Sequence, residues 1–157
     1  MTATAEHRPR TPPRWFVRTA WVVHRAIYRL SGGRAGLAPP RPGKYGMLRL
    51  HTTGRRSAQP RVAILAYWED GADLVLMAMN GWAEGHPAWW SNLLARPDAS
   101  VDLPDGHRRL VRAREAHGVE RERLVAGWAP YTTGPALEEY ARHRATPTPM
   151  IVLEPRG

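Results

Sequence analysis

Cysteine is absent from the 157 residues, which removes any disulfide framework, any thiolate-held zinc and any thiol nucleophile. Lysine is nearly absent: Lys44 is the single one among 23 basic residues. The seven histidines are scattered, and none shows a metal-binding spacing such as H-E-x-x-H, so no metal is expected. No Ser-His-Asp set and no internal repeat are legible. Long apolar runs are missing too. The best, Trp15 to Leu30, is interrupted by Arg18, His24, Arg25 and Arg29, too much charge for a span of ~20 apolar residues. No signal peptide is legible either. The expectation is a cytoplasmic protein of one domain, with an ordinary apolar fraction of 43% from which to build a core.

What is present is positive charge, and it is uneven. Residues 1–61 hold thirteen Lys/Arg and one acid, a net +12, whereas residues 62–157 hold ten Arg and thirteen acids, a net −3. The first third is therefore expected to meet something acidic. Residues 1–13 are polar and Pro-rich and read as disordered. Residues 14–31 read as a basic amphipathic helix. Arg14, Arg18, Arg25 and Arg29 fall within a stripe of ~60° at helical spacing, with apolar residues around the rest of the wheel. Such a helix either lies in an anionic membrane interface, making the protein peripheral on the inner face of the cell membrane, or packs on the domain with its stripe in water. Residues 32–45 are rich in Pro and Gly and read as a linker.

From residue 46 to 157 the pattern is mainly β with added helices, an α+β arrangement. MLRLHTT, VAILAYWED, ADLVLMAMN, ASVDL, RRLVRAREA and TPMIVLEP read as strands. Asp70-Gly71 marks a hairpin turn. HPAWWSNLLARP, VERERLVAGWA and PALEEYARHR read as helices, the first opened by Pro87. The order β-β-β-α-β-β-α-α-β with short strands predicts an antiparallel barrel.

Two stretches carry candidate chemistry. Between the first two strands, Arg55, Arg56 and Arg61 lie within seven residues of one turn. Guanidinium forks bond phosphate and carboxylate oxygens two at a time, so this cluster suits a ligand of several negative charges, or else is a solvated hairpin tip. Residues 78–93 run from a strand end through a glycine-containing loop into a helix. Trp89 and Trp90 there either stack on a flat ligand or fill the core.

Together these stretches resemble the deazaflavin-dependent nitroreductases, also called F420H2-dependent quinone reductases. The family's first marker, T-T-G-R-[RK]-[ST]-G-x-P-R, stands here as Thr52-Thr53-Gly54-Arg55-Arg56-Ser57-Ala58-Gln59-Pro60-Arg61. The second, A-E-x-H-P-x-W-x-x-N-L, stands as residues 83–93, and the chain ends as family members do, in an apolar strand closed by Glu154-Pro155. The resemblance implies a split β-barrel related to the flavin-mononucleotide-binding barrels, with coenzyme F420 as cofactor and a quinone, activated alkene or nitro compound as the small-molecule electron acceptor. It implies that Arg55, Arg56, Ser57 and Arg61 grip the cofactor's phosphate and oligoglutamate tail, with Gly54, Gln59 and Pro60 in the same turn. The backbone of Val62, Ala63, Ile64, Leu65 and Ala66 would follow the deazaflavin ring. Met77, Ala78, Met79 and Asn80, and Ala88, Trp89, Trp90, Ser91 and Asn92, would line the rest. Tyr140 and Tyr131 are the candidate proton donors. Ala58 stands where the family usually has glycine, and Met79-Asn80 stand in place of the Ser-Lys pair of the best-known nitroreductases. Of three family tyrosines Tyr140 keeps register, and Gly134 and Leu137 occupy the other two places, so acceptor choice is expected to differ. Flavin mononucleotide on the same barrel, or a non-catalytic cofactor-binding or membrane-associated module, are the alternative readings. Nucleic acid is not an expected partner, and a homodimer is left open.

Overall fold

A computed structural model describes residues 36–79, 85–133 and 145–157 of the chain. The sequence-predicted segments 1–13 and 14–31, Asn80, and the whole of the PALEEYARHR helix with Tyr140 lie outside the described residues. The fold concerns the unit of residues 37–157.

Strand β1, Gly46–Thr53, alternates buried and half-buried positions along its length. Gly46, Leu48, Leu50 and Thr52 take the buried set, and Met47, Arg49, His51 and Thr53 the other, the period-two pattern of a strand with one face on a core. Strand β2, Pro60–Asp70, turns back against it. A two-residue loop follows, with Gly71 at φ +65°, and leads to β3, Asp73–Met77. That positive φ is where a hairpin loop favours glycine. Helix α1, Ala88–Ala95, precedes the hairpin of β4, Asp98–Asp102, and β5, Arg108–Ala116. Helix α2, Gly118–Ala126, and a 3-10 turn, Ala129–Tyr131, come before the last strand, β6, Met150–Pro155.

The strands close in the order β1-β2-β3-β6-β5-β4, antiparallel at every pairing. This is the barrel that the strand order predicts. Its interior holds Leu48, Leu50, Tyr67, Leu74, Leu76, Val101, Val111, Ile151 and Leu153. A second cluster holds Trp68, Val75, Leu124, Trp128, Met150 and Val152, with Ala66, Met77 and Tyr131 packed against it. Strands β3 and β6 thus contribute alternate residues to both clusters. Their unbroken apolar sequences follow, because neither face meets water.

Closure is incomplete along β2. Residues 60–67 pair with β1, but β3 takes up only Trp68, Glu69 and Asp70. Among the described residues, the second edge of β2 from Pro60 to Tyr67 therefore has no ladder partner. Proline at the start of such a strand leaves no ladder donor missing. The described part of the sequence-predicted linker, residues 36–45, is tied in place. Ala38 pairs with Met47, Arg41 with Lys44, and Gly43 N–H donates to the Pro130 carbonyl at 2.8 Å.

Candidate functional site

The turn between β1 and β2 is closed on itself. Gly54 N–H donates to the Gln59 carbonyl at 2.8 Å, and Ala58 N–H donates to the Gly54 carbonyl at 2.9 Å. Gly54 is buried and has no room for a side chain. A Cβ there would sit 2.6 Å from Ser57 Oγ and 3.2 Å from the Gln59 carbonyl. Ala58 adopts φ +54°. The turn therefore keeps the left-handed residue although alanine occupies it, at a cost of about 1 kcal/mol or more. Ser57 Oγ accepts from Gln59 N–H at 3.4 Å and from Arg61 Nη2 at 3.3 Å.

Arg55, Arg56 and Arg61 are exposed on this turn. Among the described residues, none of the three has a carboxylate within ion-pair distance. Elsewhere in the barrel most arginines meet a carboxylate, while Arg96 and Arg121 donate to backbone carbonyls. Arg49 and Arg108 converge on Asp102, with His51 Nε2 2.9 Å from the same carboxylate. Arg109 meets Asp105, Arg112 and Arg156 share Asp98, and Arg123 meets Asp70. Arg114 bonds Glu120 at 2.7 Å and Glu154 at 2.5 Å. Desolvation works to raise the Asp102 carboxyl, but hydrogen bonds from Arg108, His51 and Arg49 outweigh it and hold the group well below the usual carboxylate range. The hydrogen bonds that Arg114 donates to Glu120 and Glu154 raise its pKa and hold it firmly protonated. Burial pushes the Tyr67 hydroxyl up to about 12.

Helix α1 packs beside the turn. Its residues Trp89, Trp90 and Leu93 belong to the same core cluster as Leu48 and Leu50, and the two indole rings meet edge-on with centroids 6.4 Å apart. Ala88 is exposed and Ser91 half-buried. Asn92 is 7% exposed. Its Oδ1 accepts from Arg55 N–H at 3.0 Å, and its Nδ2 donates to Thr52 Oγ1 at 3.2 Å. One turn on, Arg96 Nη1 donates to the Gly54 carbonyl at 3.2 Å. The two sequence markers are thus joined through one buried amide, between residues 40 apart in the chain.

The remaining candidates lie along the incomplete edge. Val62 is 51% exposed, and residues 63–66 are half-buried. Ala63 and Leu65 pack on the barrel interior, while Ala66 packs on the second cluster together with Met77 and Tyr131. The Tyr131 ring stacks on Trp68, with centroids 6.1 Å apart and planes at 23°. Ala78 is fully buried and donates its N–H to the Pro149 carbonyl at 2.9 Å; Met79 N–H donates to the Met77 carbonyl. Three sequence-predicted groups, from β2, β3 and the 3-10 turn, therefore converge on one apolar cluster.

Thr52 and Arg96 belong to the site's framework, although the sequence pattern assigned neither a role. The available signal for Arg96 was a basic residue just past a helix C-terminus. Among the described residues, no group of three His, Asp or Glu side chains forms a metal site, and no helix is long and apolar enough to cross a membrane.

Residues 21–155 match the family model described as F420H(2)-dependent quinone reductase. An F420H(2)-dependent quinone reductase of Mycobacterium tuberculosis is 32% identical over 150 residues, covering 91% of this chain and 97% of that one. A solved F420-H2 dependent reductase superposes with a TM-score of 0.55 at 28% identity, over 76% of this chain and all of that one. A solved structure described as a domain-swapped dimer superposes with a TM-score of 0.60 at 27% identity, over 87% and 99% of the two chains.

Proposed function

The chain belongs to the F420H(2)-dependent quinone reductase family, and from that membership we propose that it is an oxidoreductase that binds coenzyme F420 and reduces an electron-poor acceptor. A quinone is the leading acceptor class, with activated alkenes and nitro compounds beside it. The observation that carries this to particular residues is the arginine turn. Arg55, Arg56 and Arg61 stand exposed on a self-closed turn with no carboxylate partner among the described residues. The coenzyme bears a phosphate and an acidic oligoglutamate tail, so the donor set fits the group.

Arg55, Arg56 and Arg61, with Ser57 Oγ beside them, hold the phosphate and the tail. The edge of β2 that has no ladder partner among the described residues offers backbone groups from Val62 to Ala66 for the polar rim of a flat ring. Ala66 and Met77, packed on the second cluster, give that ring an apolar neighbourhood with little water. When bound in its reduced form, the coenzyme supplies the hydride. The chain's own contribution beyond binding is orientation and a proton. Tyr140 and Tyr131 are the candidate donors, and general-acid assistance of this kind is typically worth ~10²–10⁴-fold. Tyr131→Phe and Tyr140→Phe each keep the ring and remove the hydroxyl. A large fall in turnover with unchanged cofactor affinity identifies the donor; full turnover in both assigns the proton to solvent. For residues 14–31, an interfacial role is tested by sedimentation with anionic vesicles, which high salt should reverse.

The deciding experiment titrates the purified protein with coenzyme F420 and with flavin mononucleotide, then follows oxidation of the reduced deazaflavin with menadione. Tight F420 binding with menadione-dependent oxidation is expected. Tight flavin mononucleotide binding with weak F420 binding would overturn the reading.

A further inference from the structure

We infer that Asn92 is a positioning residue: in place of the cofactor-lining role that the resemblance implies for it, it fixes the backbone of the arginine turn to helix α1 and sets cofactor affinity through that turn. This rests on the reading of that turn as the phosphate and tail site. Asn92 is buried, and both ends of its amide are already engaged, the oxygen by Arg55 N–H and the nitrogen by Thr52 Oγ1. One amide N–H and one oxygen lone pair remain, but at 7% exposure they have little access to a ligand. What it does instead is hold the first arginine of the pair at its own backbone.

The support behind it is rigid. Trp89, Trp90 and Leu93, on the same short helix, are anchored in the barrel core, and the Arg96 backbone N–H donates to the Asn92 carbonyl at 2.8 Å. Arg96 also holds Gly54 by its carbonyl, so the turn is fastened to α1 at two consecutive residues. Thr52, at 7% exposure near the end of β1, fixes the amide from below. An exposed loop bearing two adjacent cations repels itself and would otherwise sample many conformations. Ordering it at the moment of binding weakens affinity, and fastening it in advance removes that cost. The role also explains the residue type. A planar amide presents an acceptor and a donor from one Cβ, which neither Asp nor Leu does.

The test is a double-mutant cycle read as the equilibrium Kd for coenzyme F420. Asn92→Leu keeps the approximate volume and removes both bonds. It is expected to weaken binding about tenfold, the equivalent of one lost hydrogen-bonded tie. In an Arg55→Ala/Arg56→Ala background the same substitution is expected to do almost nothing, because the groups it positions are gone. Hydrogen exchange at the Arg55 amide should accelerate in Asn92→Leu while the barrel amides stay protected. Thr52→Val and Thr52→Ser repeat the test from the other end of the clamp, should Asn92→Leu fold poorly. Valine should weaken binding about threefold, and serine should restore it. Equal, additive effects of Asn92→Leu in the two backgrounds would show direct contact with the cofactor and overturn the inference. So would wild-type affinity in both Asn92→Leu and Thr52→Val while the arginine double variant binds weakly. If the arginine double variant itself binds like wild type, the assignment of the turn is wrong, and the role of Asn92 falls with it.

Discussion

On the β4, β5 and α2 side of the barrel, Arg108, Arg109, Arg112, Arg114 and Arg123 each meet a carboxylate; on the turn between β1 and β2, Arg55, Arg56 and Arg61 meet none among the described residues. The same residue type does two jobs. Where acids lie across the strand register, as Asp102 lies opposite Arg108 and Arg49, the arginine ties strands together and its charge is spent. Where the backbone is fastened without a carboxylate, by the Asn92 amide, the Thr52 hydroxyl and the Arg96 contact to a carbonyl, the guanidinium charge of the turn is left facing water. The first arrangement stabilises the folded chain; the second leaves the charge available to an anion.

Substitutions should separate the two regions. The largest effect is expected from Arg55→Ala/Arg56→Ala. Each lost charge-assisted hydrogen bond is worth about 1.5 kcal/mol or more, so Kd for coenzyme F420 should rise about 100-fold or more, with the melting temperature unchanged. Asp102→Ala should do the reverse. It leaves Arg49, His51 and Arg108 without their common partner, and should cost about 2 kcal/mol of stability in urea titration with cofactor affinity retained.

The acid limb of stability sharpens the same contrast. The Asp102 carboxyl is held below its usual range in the folded chain. Its contribution is therefore fully present above the ordinary carboxylate pKa of about 3.9 and is lost as pH falls through the lower folded value. Urea midpoints measured from about pH 6 down to about pH 2.5 should drop in the acid range, and less steeply in Asp102→Asn. The smallest effect concerns Ala58, at φ +54°. Ala58→Gly relieves a left-handed alanine worth about 1–2 kcal/mol but adds unfolded-state entropy worth about 0.5–1 kcal/mol. A net gain of about 0.5–1 kcal/mol follows, read as a higher thermal midpoint with unchanged Kd.

The strand runs MLRLHTT and RRLVRAREA and the Asp70-Gly71 turn were legible because they are local, and those elements stand where the pattern places them. The exposed arginine turn was legible for the same reason. The contact of Asn92 with Thr52 was not, since it spans 40 residues and depends on how a helix seats against a barrel. The Asp102 network depends on the register between β1, β4 and β5, which no single strand encodes. VAILAYWED reads as one uniform strand, yet among the described residues Val62 to Tyr67 have no second ladder partner, because where β3 turns away is a property of the sheet. Trp89 and Trp90 suited stacking or core by sequence, and the structure packs both in the core cluster.

The most direct measurement is equilibrium binding of coenzyme F420, with its full tail and with the tail removed, to the wild-type chain and to Arg55→Ala/Arg56→Ala across rising salt. Wild-type affinity should be high, should fall as the Debye length shrinks from ~10 Å at about 0.1 M toward ~3 Å at about 1 M, and should drop when the tail is removed. The double variant should bind weakly, with little response to salt or tail. Equal affinity and equal salt dependence in the two proteins would contradict the assignment of the unpaired arginines to the cofactor.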